Sequence, residues 1–386
     1  MSVYGIICEF NPFHNGHKRI IDEAKRLGAE CVVVAMSGNA VQRGELAALD
    51  KYTRAKAAVL CGADLVLELP FPWSSASAES FAECGVEILS HFCDNIIFGS
   101  ECGDINYLRG AAEASSSESF CLEYNSLLES GEGAAKAYCA LLEREGFGDL
   151  SSNDLLGVEY IKAASKYPNI TLHTVKRKGA EYNDTALGES ACPSASAIRA
   201  AWGKGEYELQ KYIPTEALEV FDEAIKNGEI TDEKMLSQAL LMHFRLADPE
   251  ELSRFAQADG GVANRICTIA RKVSSFEELF TQLKTKRYTD AKLRRAILFC
   301  LTGVEKETLK RSPEYTTLLG ASAQGRAVLS AARKDKKITV VTKPADAPTD
   351  SEQYKLGRAL EAIFTLGLRA PAALEDSYRK NAFIKD

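Results

Sequence analysis

Short β-rich runs alternate with amphipathic stretches over the first half of this 386-residue chain. The β-rich runs cover residues 3–8, 31–37, 64–69, 95–98 and 170–176, and helical spacing covers residues 17–27, 51–61, 76–90 and 133–145. Strands that alternate with helices form βαβ units, which build a parallel sheet with right-handed crossovers. The pattern therefore predicts a doubly wound, Rossmann-like α/β domain over residues 1–205.

The strand signal largely disappears after residue 205. Helical spacing covers residues 206–227, 232–246, 249–259, 262–273, 275–281, 290–300 and 322–334, and residues 337–341 are a candidate lone strand. Apolar residues at a period near 3.6 are typical of amphipathic helices. We therefore expect a second, mostly helical domain over residues 206–386.

Charge is distributed unevenly along the chain, whose net charge is −7. Residues 265–343 hold 18 Lys and Arg against 7 Asp and Glu, a net of +11, whereas residues 1–264 hold 23 against 40, a net of −17. A basic segment on an acidic protein indicates a polyanionic partner at one face. A solvated helical surface is the alternative explanation of the same charge.

Composition narrows the class of protein. The hydrophobic content of 46% and the charged content of 26% are typical of globular domains and not of disordered or fibrous chains. No apolar run reaches the roughly 18 residues of a membrane span, so we expect a cytoplasmic protein without a membrane partner. The 11 cysteines are scattered and lack zinc-ligand spacing, so we expect neither a structural zinc nor a bound redox cofactor.

Polar residues follow four of the predicted strands. They form the loops 9–17, 37–45, 99–101 and 177–179. In an open parallel sheet, ligands bind beyond the carboxyl ends of the strands. We therefore expect these four loops to converge on one site.

The first of these loops has the pattern His14-x-Gly16-His17 and leads into a helix. Gly16 permits close backbone approach, the helix N terminus offers N–H groups to an anion, and both imidazoles can donate to phosphate oxygens. These features suit nucleotidyl transfer, in which positioning and charge stabilisation at the α-phosphate supply most of the rate. Two histidines that merely cap a helix are the structural alternative.

Phosphates must be held without a P-loop, because no G-x-x-x-x-G-K-[ST] motif occurs. Ser194 and Ser196 open a predicted helix, and Arg199 follows one turn later. Two hydroxyls and a guanidinium in that arrangement suit the β- and γ-phosphates of a nucleotide. A serine N-cap with an exposed arginine is also common in helices without any such function.

Four segments carry a family resemblance. They are residues 5–17, residues 36–45 with Ser37-Gly38-Asn39 and Gln42-Arg43-Gly44-Glu45, residues 98–101, and residues 285–289. They resemble the bacterial tRNA(Met) cytidine acetate ligases, within the H-x-G-H nucleotidyltransferase superfamily, over nearly the whole chain. The resemblance implies that acetate and ATP give acetyl-adenylate and pyrophosphate. The acetyl group then passes to N4 of the wobble cytidine of elongator tRNA(Met).

The resemblance also implies site residues. The catalytic set predicted from the H-x-G-H loop and the helix start at Ser194 is His14, His17, Ser194, Ser196 and Arg199. The implied ATP site comprises Ile6, Ile7, Cys8, Glu9, Phe10, Asn11, Pro12, Phe13, His14, Asn15, Gly16, His17, Lys18, Arg19, Gly99, Asn153 and Arg177. The tRNA site expected from the basic segment comprises Lys286, Arg287, Tyr288, Lys292, Arg294 and Arg295. Mg²⁺ is expected to accompany ATP, and no protein metal site is expected.

Several positions leave details open. Asn153 either contacts the base of ATP or only caps a helix. The family usually has an aromatic residue where Ala40 stands, a proline where Leu46 stands, and Thr-Arg where Ala291-Lys292 stands. We expect Ala40 and Leu46 to make the mouth of the acyl pocket roomier. The cation for acetate is one of Arg43, Lys51, Arg54 and Arg177, of which Arg177 is expected to meet the phosphates.

Two other functions fit part of the pattern. An adenylyltransferase that joins AMP to a phosphorylated small molecule would use the same H-x-G-H loop, but it would not need the basic segment. A non-catalytic tRNA-binding relative would need the basic segment, but it would not need the catalytic set. Release of pyrophosphate from ATP, with and without acetate and tRNA, separates the three functions.

Overall fold

The computed structural model describes residues 1–177, 194–203, 209–285, 287–335 and 338–386. The first half contains β1 (Val3–Cys8), α1 (Asn15–Arg26), β2 (Cys31–Ser37), α2 (Lys51–Leu60), β3 (Leu65–Leu69), α3 (Ala78–Ser90), β4 (Asn95–Ser100), α4 (Ile105–Ser115), α5 (Glu118–Glu129), α6 (Ala134–Arg144), α7 (Ser152–Ala164), β5 (Thr171–Lys176) and α8 (Ala195–Gly203). The predicted alternation of strands and helices is therefore confirmed.

The second half contains α9 (Thr215–Lys226), α10 (Glu233–Leu246), α11 (Pro249–Ser253), α12 (Val262–Ala270), α13 (Phe276–Leu283), α14 (Asp290–Thr302), β6 (Tyr315–Ala321), α15 (Ala323–Asp335), β7 (Thr339–Val341), α16 (Glu352–Leu366), α17 (Leu374–Ser377) and β8 (Phe383–Ile384). Short 3-10 helices lie at Trp73–Ser75, Thr308–Lys310 and Pro344–Asp346. Among the described helices, none combines the length and the apolar sequence that a membrane crossing requires.

One sheet organises the molecule, with strand order β5-β4-β1-β2-β3-β6-β7 and β8 paired with β6. Strands β1 to β5 pair in parallel, so their carboxyl ends share one edge. All seven residues of β2 are buried, because a central parallel strand is covered by helices on both faces. One apolar layer includes residues of α3, α4, α7 and α15, and the other includes residues of α1, α2, α8 and α9. The predicted doubly wound parallel sheet is confirmed.

The second half is less uniformly helical than the sequence predicts. A strand, β7, lies within the predicted residues 337–341, but the expectation that it stands alone is wrong, because β6 pairs antiparallel with β3 and parallel with both β7 and β8. Six of the seven residues of strand β6 are buried, so its sequence lacks the alternation that marks a half-exposed strand. The helix predicted over residues 249–259 ends at Ser253, and Gln257 has a left-handed backbone with φ +64°. A domain boundary near residue 205 stays a prediction.

Helices α10 to α14 pack around a separate apolar cluster that includes Phe244, Ile266 and Leu279. A smaller cluster joins this region to the sheet, because Ala40 and Phe71 from the first half pack with Phe299 of α14 and Leu360 of α16. Helix α14 therefore lies against the loop that follows β2. The second half of the chain reaches the carboxyl edge of the sheet through this contact.

The buried guanidinium of Arg54 holds the loops at that edge of the sheet through hydrogen bonds. Arg54 of α2 is 0% exposed. Its Nε donates to the Leu49 carbonyl at 2.9 Å, Nη1 donates to the Glu9 carbonyl at 2.6 Å, and Nη2 donates to the Gly38 carbonyl. Burial lowers the pKa of Arg54 to about 10. The loop after β1, the loop after β2 and the start of α2 are thus held by one side chain.

We predict that Arg54→Met lowers the free energy of unfolding by at least about 3 kcal/mol, because three buried carbonyls lose a donor and each costs about 1 kcal/mol or more. Chemical denaturation measures this change. Lys56→Met is the matched control, since Lys56 lies half-buried on the same helix. Equal stability of the two variants would show that the three carbonyl bonds do not hold the loops.

Candidate active site

A cavity lies at the carboxyl edge of the sheet, where residues of the four predicted loops meet; residues 178–179 of the fourth loop lie outside the described residues. Of the residues that the sequence assigns to catalysis or ATP, its lining includes Ile6, Ile7, Cys8, Glu9, Phe10, Asn11, His14, His17, Gly99, Asn153, Arg177, Ser194, Ser196 and Arg199. Other residues from the assigned set lie outside the lining, namely Pro12, Phe13, Asn15, Gly16, Lys18 and Arg19. The structure therefore brings all five proposed catalytic residues to one cavity.

The two histidines do cap helix α1, and they do so with one ring nitrogen each. His14 is the N-cap, and its Nδ1 accepts from the Gly16 N–H at 3.0 Å. The Nδ1 of His17 accepts from the His14 N–H at 3.2 Å. A neutral imidazole whose Nδ1 accepts carries its proton on Nε2. Capping therefore fixes both rings in the tautomer that donates from Nε2, and the capping alternative and the functional hypothesis are compatible.

The environment keeps both imidazoles uncharged. Burial, with a contribution from the Arg177 guanidinium, lowers the pKa of His14 to about 3. Burial also lowers the pKa of His17, with contributions from His14 and Arg177. The two ring centroids lie 3.8 Å apart, and the Phe10 ring lies 4.8 Å from that of His17. Two neutral donors therefore stand side by side, with no charge repulsion between them.

The packing of the His14 ring requires a glycine at position 16, which the sequence did not reveal. A Cβ atom at this position would lie 2.8 Å from Cε1 of His14. That distance is shorter than ordinary van der Waals contact, so any side chain there would displace the His14 ring. The glycine of the H-x-G-H pattern therefore protects the orientation of its first histidine.

Arg199 is oriented by three groups. Its Nη1 donates to the Asn11 carbonyl at 2.7 Å, its Nη2 donates to Ser196 Oγ at 3.3 Å, and Nη2 lies 3.6 Å from a Glu45 carboxylate oxygen. Ser194 is buried, and its Oγ accepts from the Ala197 N–H at 3.1 Å, which caps the start of α8. Helix α8 therefore places the Arg199 guanidinium in the cavity in a fixed orientation.

Arg177 and Asn153 share one partner, Glu101. Arg177 Nε lies 3.0 Å from Glu101 Oε1, and Asn153 Nδ2 donates to the same oxygen at 2.7 Å. Ser151, and not Asn153, is the N-cap of α7, so the helix-cap explanation of Asn153 is wrong. The loop that carries Glu101 is braced by Asp154, which accepts from Ser100 Oγ at 2.5 Å.

A second carboxylate, Glu45, lies between two arginines. One of its oxygens is 3.6 Å from Arg199 Nη2, and the other is 3.3 Å from Arg294 Nε on α14. The adjacent Gln42 N–H donates to Glu9 Oε1 at 2.9 Å, and burial raises the pKa of Glu9. The loop after β2 therefore connects the floor of the cavity to the basic segment of the second half.

Sequence reasoning assigned no role to Glu101 or Glu45. Both belong to the quoted motifs, and both follow a strand at the carboxyl edge. A carboxylate that follows a strand at the carboxyl edge, in a loop with other candidate site residues, is the sequence signal that could have pointed to them. No group of three or more possible metal ligands is found within the described ranges.

The structure places two of the four candidate cations for acetate in the active-site cavity. Arg54 donates to three backbone carbonyls, so its guanidinium does not hold acetate. Lys51 lines a different cavity, where its Nζ lies 2.9 Å from Glu68 Oε1. Arg43 and Arg177 line the site. The expectation that Ala40 and Leu46 widen this cavity is wrong, because neither lines it. Instead these two residues form an isolated antiparallel bridge and pack into apolar clusters.

The residues expected to bind tRNA occupy two kinds of position. Arg287 is exposed, and the Tyr288 ring has the Arg287 guanidinium at 5.3 Å and the Lys292 ammonium at 4.8 Å from its centroid. Arg294 pairs with Glu45 and Glu233, and Arg295 Nη1 donates to the Gln42 carbonyl at 3.1 Å. Lys286 lies outside the described residues. Arg294 and Arg295 therefore also hold the loop beside the active site.

The sequence model of the HIGH Nucleotidyl Transferase family matches residues 1–378. The chain is 35% identical to a tRNA(Met) cytidine acetate ligase of Clostridium perfringens over 375 residues, which cover 91% of this chain and 92% of the relative. It is 33% identical to a ligase of the same name from Caldanaerobacter subterraneus subsp. tengcongensis, with 96% of each chain covered.

Solved structures agree with the sequence comparison. Thermotoga maritima TmcAL bound with alpha-thio ATP is similar with a TM-score of 0.88 and 28% identity, covering 100% of this chain and 99% of that one. The apo form of the same protein gives a TM-score of 0.90. The chain belongs to the HIGH nucleotidyltransferase family, and within it to the tRNA(Met) cytidine acetate ligase family.

We predict that His14→Asn keeps the stability of the fold but slows nucleotidyl transfer about a hundredfold, which corresponds to about 3 kcal/mol. Asparagine is a preferred N-cap and can accept from the Gly16 N–H, but it has no group at the Nε2 position. Thermal unfolding and exchange of labelled pyrophosphate into ATP measure the two effects.

The matched variant is His14→Gln, which restores a donor near the Nε2 position but caps the helix poorly. We expect it to be less stable and more active than His14→Asn. Full exchange activity in His14→Asn would mean that His14 only caps the helix.

Proposed function

We propose that this protein activates acetate with ATP and transfers the acetyl group to N4 of the wobble cytidine of elongator tRNA(Met), giving N4-acetylcytidine. The observation that carries the proposal is the pair of neutral imidazoles with their Nδ1 atoms occupied by backbone N–H groups. Their Nε2–H groups supply a preorganised set of donors for an α-phosphate that gains charge. The membership of the acetate ligase family supports the choice of acetate and tRNA.

In the first half-reaction, a carboxylate oxygen of acetate attacks the α-phosphorus of ATP. The bond between that phosphorus and the oxygen bridging to the β-phosphate breaks, and pyrophosphate leaves with the bond electrons. His14 and His17 donate to the α-phosphate oxygens, and Arg199 with Ser196 meets the β- and γ-phosphates. Mg²⁺ enters with the triphosphate as part of the substrate.

In the second half-reaction, the N4 amine of cytidine attacks the carbonyl carbon of acetyl-adenylate. The bond between that carbon and the phosphate oxygen breaks, AMP leaves, and the amine loses a proton. An anticodon-loop cytidine is unpaired, so exposing its amine costs less than extracting a base from a duplex. The reaction needs no redox cofactor.

The acetate carboxylate needs a cation close to the α-phosphate. Arg43 is the remaining candidate, because it lines the cavity while Arg177 is oriented by Glu101 for the nucleotide. Arg43 extends from the same loop as Glu45, so acetate, phosphates and helix α14 meet along residues 42–45. A guanidinium can hold a carboxylate with two parallel hydrogen bonds.

The tRNA surface is proposed to lie on the described part of the basic segment. Arg287 is exposed, with its guanidinium 5.3 Å from the centroid of the Tyr288 ring, and a Cβ at Gly133 of the first half would meet the Arg287 carbonyl at 2.7 Å. The surface therefore borders both halves of the chain. Aromatic rings beside cations suit an RNA loop with unstacked bases.

We predict pyrophosphate exchange into ATP that requires acetate but not tRNA, followed by acetylation of tRNA(Met) when the tRNA is added. An adenylyltransferase would instead show exchange that ignores acetate and depends on a phosphorylated small molecule. A non-catalytic relative would show no exchange. Labelled acetate recovered in N4-acetylcytidine completes the assignment, and exchange that is independent of acetate would refute it.

We further predict that Arg287→Glu weakens tRNA binding and reduces the slope of log K against log salt by about 1, because one phosphate contact is lost. Acetate-dependent exchange should not change. Arg26→Glu is the control, because Arg26 is an exposed residue at the C-terminal end of α1, away from the carboxyl edge. An equal loss in both variants would mean that net charge alone attracts the tRNA.

A further inference from the structure

A second cavity of about 380 Å³ opens beside β3 and helix α16. It lies at the same edge of the sheet as the active site, because Glu68 and Phe71 at the end of β3 line it. Residues from β6 and the C-terminal segment close its other sides, among them Tyr315 and Tyr378. Neither the nucleotide chemistry nor the basic segment described above makes use of this cavity.

Three charged side chains form the inner wall of the second cavity. Lys51 Nζ lies 2.9 Å from Glu68 Oε1 and 3.3 Å from Glu361 Oε1, and both carboxylates are buried. Asn39 Nδ2 donates to both oxygens of Glu361 at 3.1 Å. The two carboxylates outnumber the single ammonium of this wall, and a carboxylate offers about four acceptor positions. The wall therefore favours a ligand that brings hydrogen-bond donors.

The opposite wall carries a guanidinium that lies over an aromatic ring. The Arg358 guanidinium lies 3.5 Å from the centroid of the Tyr378 ring. The hydroxyl of Tyr378 is buried and has no hydrogen-bond partner among the described residues. The other aromatic lining residues are Tyr52, Phe71, Tyr315 and Tyr354. Aromatic rings and guanidinium planes are the surfaces on which unpaired bases stack.

The second cavity is close to the active site along the chain. Asn39 contacts Glu361 in the second cavity, while Val41 lines the active site. The loop after β2 therefore borders both cavities. Exposed lysines also stand next to lining residues, with Lys343 before Pro344 and Lys355 after Tyr354.

We propose that the second cavity binds an unpaired nucleobase with an exocyclic amino group, contributed by the nucleotide next to the cytidine that reacts in the active site. The base stacks on the Arg358 guanidinium, which the Tyr378 ring supports from its other side, and its amino group donates to the carboxylates of the inner wall. Carboxylates are the acceptors that proteins commonly use for the amino group of cytosine. This proposal rests on the proposed function for the identity of the RNA, but it concerns RNA positioning and not the adenylation step.

The first test compares two arginine variants of the full-length protein. Arg358→Met removes the stacking guanidinium, and Arg379→Met removes an exposed guanidinium nearby that does not line the cavity. We expect Arg358→Met to weaken tRNA binding about tenfold, a loss typical of one stacked base, while Arg379→Met and acetate-dependent exchange stay unchanged. Equal affinity of the two variants for tRNA would overturn the proposal. If Arg358→Met unfolds, as judged by thermal melting, Tyr378→Leu takes its place.

The second test uses RNA trimers and keeps the proposal falsifiable if tRNA is not the substrate. With ATP saturating the active site, we expect tricytidylate to bind about tenfold more tightly than the trimer UCU, which keeps one cytidine for the active site but has uracil, without the amino group, on both sides of it. Arg358→Met should remove this difference. Equal binding of the two trimers to the wild-type protein would show that the cavity is only structural, whatever the outcome of the acetylation assay.

Discussion

The active site depends on a guanidinium that takes no part in the reaction. Arg54 is fully buried and donates to the carbonyls of Glu9, Gly38 and Leu49. These carbonyls belong to three segments that must converge for the cavity to exist, namely the loops after β1 and β2 and the start of α2. Loops rarely hold their own shape, since their backbone groups are not paired in a ladder. Here one side chain satisfies three of those groups, and both cavities share the segment that it fixes.

Other side chains of the active site also combine a structural role with a chemical one. Each histidine uses Nδ1 to cap α1 and keeps Nε2 for a ligand, so the structural and chemical roles occupy different atoms. Each cation has a carboxylate beside it, Glu101 for Arg177 and Glu45 for Arg199. A carboxylate that also contacts Arg294 on α14 ties the nucleotide site to the helical region. Ligand binding at either place therefore acts on a shared loop.

The sequence predicted the local parts of this arrangement well. Strands β1 and β2 begin and end where the pattern places them, and the H-x-G-H loop, Ser194 and Arg199 meet in one cavity, because parallel strands bring their carboxyl ends together. Strand β6 was missed because a strand that is buried on both faces has no alternation of apolar and polar residues. Arg54 was grouped with the acetate cations because sequence cannot reveal that its partners are backbone carbonyls. Glu101 and Glu45 gain their roles from residues distant in sequence.

The central claim is that the Nε2 atoms of His14 and His17 serve the α-phosphate. A crystal structure of this protein with a non-hydrolysable ATP analogue measures it directly. The account predicts both Nε2 atoms within about 3 Å of α-phosphate oxygens, with the Nδ1 caps and the three Arg54 bonds unchanged. A triphosphate bound elsewhere in the cavity, with both Nε2 atoms far from the α-phosphate, would contradict it.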